Sequence, residues 1–149
     1  MNFNNFTIKS QEAVQEAVNL VQSRGQQAIE PEHLMAGLLK VGENVTNFIF
    51  QKLGINGQQI ETVLDRQIAS LPKVSGGEAY LSRSANEVLQ KAVEVSKELG
   101  DEYVSLEALL LALLNVKSTV ATILKDAGLT DKELRAAIQE LRQGQKVIS

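Results

Sequence analysis

The 149-residue chain contains no cysteine, which removes disulfides, thiolate metal sites and thiol nucleophiles together and suits a reducing compartment. It contains no tryptophan, and aromatic residues make up only 4% of it, so any core must be aliphatic. Basic residues never form a run and the net charge is −3, which argues against nucleic acid as a partner. No apolar stretch is long enough to span a bilayer, so no membrane is expected. The opening "MNFNNFTIKS" lacks a charged segment followed by an apolar one and does not read as a signal peptide, which leaves the cytoplasm as the default location. Disorder is excluded from the other side, because 44% of the residues are hydrophobic.

What is present is a pattern written twice. "IEPEHLMAGLL" (29–39) returns as "VSLEALLLALL" (104–114), an offset of about 75 residues. At that spacing Glu12 falls on Glu87, Ala17 on Ala92, Gly25 on Gly100, Glu32 on Glu107, Leu34 on Leu109 and Leu38 on Leu113. One residue shorter, Ile49 meets Ile123 and Gly54 meets Gly128. The matches keep chain order and fall on apolar positions and turn glycines, the mark of an internal duplication.

Each copy reads as four helices, so the fold class is all-α with eight helices in two tandem repeats. In the first repeat, Ala13, Val14, Ala17, Val18 and Val21 form a helical stripe that Gly25 closes. Pro31 opens a second helix at N1 and that helix runs to about Val41. A third covers about 44–53, and Asn56 caps a fourth. In the second repeat, Ser84 and Glu87 suggest a capping box for a helix striped by Val88, Leu89, Ala92, Val93 and Leu99 and closed by Gly100. Ser105, Ser118 and the pair Thr130 and Glu133 start the remaining three, the last ending near Arg142. Repeat one is expected at about 7–70, a linker marked by Pro72, Ser75, Gly76 and Gly77 at about 71–80, and repeat two at about 81–144. No segment alternates with period two, so strands are not expected. The second helix of each repeat is apolar almost all round, which places it at the centre of a bundle, the two packing about a pseudo-twofold axis. Gly37, matched by Ala112, allows a close helix approach there.

Chemistry is harder to find. His33 is the single histidine, and the pair Glu32-His33 invites a metal or acid–base reading. HExxH spacing is absent, no second imidazole or thiolate exists to complete a metal site, and no nucleophile elbow is present. Glu32 therefore reads as a first-turn residue favoured by the helix dipole, with His33 a structural neighbour. "SGGEAY" is glycine-rich but lacks the GxxxxGK[ST] phosphate loop. The "RQGQK" end, Arg142 to Lys146, reads as a short solvated tail. By exclusion the chain is a binding module rather than an enzyme, with no catalytic and no metal residues.

The stretches "NNFTIKSQEAVQEAVNLV", "IEPEHLMAGLLK", "LPKVSGG", "GDEYVSLEALLLALL" and "AIQELRQGQKV" together resemble the Clp N-terminal domain, the duplicated helical repeat of Clp-type AAA+ unfoldases. The start "FNNFTIKSQEAV", with Gly100-Asp101 leading to Val104-Ser105 and Glu107, is most similar to the disaggregase members. The resemblance implies a monomeric N-terminal domain of a homohexameric ATPase, with the ATP and Mg sites on domains outside this chain. It implies as partners unfolded or aggregated polypeptides and a DnaK-type chaperone. The protease-coupled members imply an alternative, a docking face for a folded adaptor. Carried over singly, the family's polar positions fall on Thr7, Asp101 and Glu107, rimming a substrate groove. The nearest matches for its apolar floor are Leu89 and Ala108, with Leu81 and Tyr80 nearby; Ala108 is smaller than the leucine often found there.

Overall fold

A computed structural model describes residues 2–143. The residues beyond Gln143, including Lys146 of the expected tail, lie outside the described residues. The elements run α1 (Ile8–Ser23), β1 (Ala28–Ile29), α2 (Pro31–Val41), α3 (Glu43–Leu53), α4 (Gly57–Ser70), β2 (Tyr80–Leu81), α5 (Arg83–Glu98), α6 (Leu106–Asn115), α7 (Thr119–Asp126) and α8 (Asp131–Arg142). The all-α class therefore stands, with four helices on each side of the loop that carries Pro72 and Gly77.

Short polar side chains start most of these helices, because each satisfies a backbone N–H that the first turn leaves open. Asn56 Oδ1 accepts from the N–H of Gln59 at 3.1 Å, Ser105 Oγ from Ala108 at 3.1 Å, Ser118 Oγ from Ala121 at 3.2 Å and Thr130 Oγ1 from Glu133 at 3.2 Å. Pro31 stands at N1 of α2, where its missing N–H costs nothing. The capping box expected at Ser84 and Glu87 is corrected. Ser82 is the cap of α5, accepting from the N–H of Ala85 at 3.0 Å, and Glu87 instead pairs with Arg83 one turn back. The duplication carries the signal for this, since its offset sets Ser82 on Thr7, the cap of α1.

The expectation of no strands is also corrected, and the exception organises the molecule. β1 pairs in parallel with β2, Ile29 opposite Leu81, and an isolated parallel bridge joins Phe6 to Val104. The offset of the repeats carries Phe6 onto Leu81 and Ile29 onto Val104. The two seams are thus one contact made twice: the residues preceding the first helix of each repeat pair with those preceding the second helix of the other. Two equivalent hydrogen bonds fix them, Thr7 N–H to the Val104 carbonyl and Ser82 N–H to the Ile29 carbonyl, both at 3.0 Å. Such reciprocity is what a pseudo-twofold arrangement requires.

The centre is aliphatic, as the lack of aromatics demands. α2 and α6 pack on each other, burying Leu34, Met35 and Leu38 with the whole of α6 from Leu106 to Leu114. α1 crosses α2 so closely that a Cβ on Gly37 would overlap the carbonyl oxygen of Ala13. Turn glycines Gly25 (φ 66°) and Gly100 (φ 76°), matched by the repeat, hold left-handed backbone after α1 and α5.

Candidate functional site

Thr7 and the segment 101–107 meet at the first seam. The Thr7 hydroxyl accepts from the N–H of Ser10 at 3.1 Å and donates to the Ser10 hydroxyl at 2.8 Å. Its own N–H reaches Val104, whose N–H in turn donates to the Asn5 carbonyl at 2.8 Å. The start of α1 is therefore stitched to the approach to α6, and Asp101, Ser105 and Glu107 sit on that approach and in the first turn beyond it.

The two carboxylates do not face solvent. Arg142, at the end of α8, reaches across both. Its Nε donates to Glu107 Oε2 at 2.8 Å, its terminal nitrogens meet the two oxygens of Asp101 at 2.9 Å each, and one of them also donates to Ser105 Oγ at 2.9 Å. The arginine side chain is only 8% exposed. Burial works against its charge, but its hydrogen bonds to Asp101 and the charge of Glu107 outweigh that and raise its pKa above the ordinary arginine value. Reading Arg142 as part of a solvated tail is corrected: it is a planar clamp that closes α8 onto the α5–α6 connection.

The expected apolar floor is corrected as well. Leu89 and Ala108 are fully buried. Leu89 belongs to the inward stripe of α5 with Val88 and Ala92, and that stripe packs on α6, which carries Ala108. Both are core residues because each lies on the contact between two helices. Tyr80 and Leu81 form β2 at the second seam, with Leu81 half-buried and Tyr80 56% exposed. Ile8, next to Thr7, is 75% exposed. The sequence reading passed over it, although an aliphatic residue lying off the inward stripe of α1 was a visible signal.

Repeat one holds the equivalent junction with different chemistry. Gln26 takes the place of Asp101 and His33 that of Ala108. His33 Nδ1 accepts from the Glu30 N–H at 2.9 Å, so the proton is on Nε2, which donates to Gln26 Oε1 at 2.8 Å. Gln26 Nε2 then donates to the Ile68 carbonyl at 2.7 Å, at the end of α4. Burial, helped by Arg24, lowers the His33 pKa to about 4, so the ring is neutral. Both ring nitrogens are committed to protein groups, which makes His33 a capping and bridging residue rather than a base. Glu32, the counterpart of Glu107, is pushed above the usual carboxylate range by burial, and Glu30 adds to the shift. Each repeat thus ties its fourth helix to the connection between its first two, by a neutral relay in one and an ionic clamp in the other.

These features define a duplicated all-α domain whose two repeats are joined by reciprocal seams. The model of the Clp repeat N-terminal domain matches residues 5–127, and the chain belongs to that family. Over all 149 residues the chain is 78% identical to the N-terminal region of "Chaperone protein ClpB" of Bacteroides thetaiotaomicron, spanning 17% of that relative's length. Among solved structures, the Hsp104 N-terminal domain from Candida albicans superposes with a TM-score of 0.85 at 23% identity, covering 98% of this chain and 97% of that one. A ClpV N-domain in complex with a VipB peptide superposes with a TM-score of 0.76 at 17% identity, covering 96% of this chain and 90% of that one. These two likenesses establish the fold.

Proposed function

We propose that this domain captures exposed apolar segments of unfolded or aggregated polypeptides for a ClpB-type AAA+ chaperone. The threading of those clients is driven by ATPase domains outside the chain, in a homohexamer working with a DnaK-type chaperone. The observation that carries the reading is a pair of exposed apolar side chains beside the seams: Ile8 follows Thr7 at the first, and Tyr80 adjoins Leu81 at the second. An unfolded client presents the aliphatic and aromatic groups that such side chains would cover, and the surface is shallow enough to release it again. The 78% identity of the whole chain to the N-terminal region of a ClpB chaperone supports this reading, as does the peptide on the ClpV N-domain.

The latch changes how the site operates. Asp101 and Glu107 are held by Arg142, so their first role is to set the backbone that presents Thr7 and Ile8, and contact with client falls to the exposed groups. Amide shifts on titrating the domain with a chemically unfolded, alkylated polypeptide test this. Weak binding, with Kd on the order of tens of micromolar or higher, is expected. Shifts should gather at Thr7, Ile8, Tyr80 and Leu81, and Ile8→Ser with Tyr80→Ser should reduce them without loss of helicity. Shifts confined to other surfaces, or none at millimolar client, would remove the assignment.

A further inference from the structure

Repeat one carries an open trough along α2. Along α6 every residue from Leu106 to Leu114 is buried. On α2 the corresponding outer positions are Ala36 where α6 has Leu111, and Leu39 where it has Leu114, and both α2 residues are only half-buried. Ala36 carries a smaller side chain than its counterpart Leu111, which is fully buried in the second repeat. Two adjoining cavities of about 650 and 420 Å³ occupy that side of α2 and share Ala36, Lys40 and Asp65, so they form one continuous trough. Its lining is mixed: Ala36, Leu39 and Ile55 are half-exposed apolar residues, Phe50 and Leu64 lie buried behind them, and Asn47, Gln51 and Gln58 add exposed polar groups.

The rim is acidic. Glu43, Glu61 and Asp65 line it, all exposed, and none makes an ion pair among the described residues. Among the described residues Lys40 is the one cation in the lining, and it is engaged by Glu16 at 3.1 Å. These three carboxylates, without an ion pair among the described residues, set a negative field beside the half-exposed aliphatic groups of Ala36, Leu39 and Ile55. A second copy of this chain, itself net negative, is a poor match. We propose that this trough docks a short segment of another protein in which lysine or arginine residues flank aliphatic side chains. The aliphatic groups rest on Ala36 and Leu39, and the cations reach Glu43, Glu61 and Asp65. The site shares no residue with the seam surface and stands independently of the client-binding reading.

The test uses the intact domain and a fluorescently labelled peptide of alternating lysine and leucine, with a glutamate-for-lysine peptide as its control. Saturable binding that weakens with added salt is expected for the lysine peptide alone, with amide shifts centred on Ala36, Leu39 and Asp65. Glu61→Lys and Asp65→Lys, both at exposed positions that leave the fold intact, should each weaken binding about three- to fivefold, the scale of one surface charge pair reversed. Ala36→Leu, which copies repeat two, should weaken it while leaving the salt dependence of any residual binding unchanged. Equal binding of the two peptides, indifference to all three substitutions, shifts at the seams instead, self-association of the wild type through the same residues, or no binding would each overturn the proposal.

Discussion

His33 and Arg142 do the same job with opposite electrostatics, and pH separates them. The folded-state pKa of His33, about 4, lies below its ordinary value of 6.5. The unfolded chain therefore takes up a proton at higher pH than the folded one, and the associated stability is complete above pH 6.5 and lost as pH falls toward 4. The loss amounts to about 3 kcal/mol. His33→Gln should unfold at lower denaturant than wild type at pH 7, and the gap should narrow steadily between pH 6.5 and 4. A gap independent of pH in denaturant titrations would show that the ring is not held neutral. Arg142 has no such dependence in that window, but removing it takes a cation and its hydrogen bonds away from two buried carboxylates. Arg142→Ala should cost roughly 3 kcal/mol at pH 7. Thr7, Asp101 and Glu107 came from the family resemblance, and nothing local pointed to Arg142, which holds the two carboxylates: it is far away in sequence, and nothing in "RQGQK" distinguishes a clamp from a solvated tail. Leu89 and Ala108 misled for a related reason, because residue type alone does not tell an apolar groove floor from an apolar core.

At the scale of single helices the duplication made most of the fold readable. Caps, turn glycines and stripes recur in both copies, so each assignment in one repeat checks the other. What escaped was the β-pairing, since two-residue strands are too short for any alternation to show. The α1–α2 crossing is set by Gly37, where a methyl group meets backbone rather than a movable side chain. Gly37→Ala should gain about 1 kcal/mol of helix propensity and lose more to the forced separation, for a net destabilisation of about 1–2 kcal/mol. Ala112→Gly, its mirror in repeat two, should cost that propensity and a buried methyl group, about 1–2 kcal/mol. Leu34→Ala and Leu109→Ala both empty fully buried sites on the central helices and should each cost about 2–5 kcal/mol. Midpoints of chemical unfolding rank the four, and a stabilised Gly37→Ala variant would disprove the close crossing.

Over the whole molecule, the reciprocal seams decide whether a Clp repeat is a folding unit. Repeat one gives Phe6 to Val104 of repeat two and receives Leu81 against its own Ile29. The buried faces of α2 and α6 also cover each other. A lone repeat would expose one apolar central helix and leave both seams without their partners, an unfavourable balance for a chain of that size. The connecting loop, by contrast, contributes little beyond the hydrogen bonds from the Val74 N–H to the Gly25 carbonyl and from Gln27 Nε2 to the Glu78 carbonyl. A protease site placed between Gly76 and Gly77 should therefore be cut without dissociating the domain, and the nicked protein should keep its helical circular dichroism. Its melting should remain a single transition but become concentration-dependent, because unfolding now separates two chains. The two halves prepared separately should each show little helix and should regain it on mixing. A half that melts cooperatively by itself would mean that the seams join two finished domains rather than complete one.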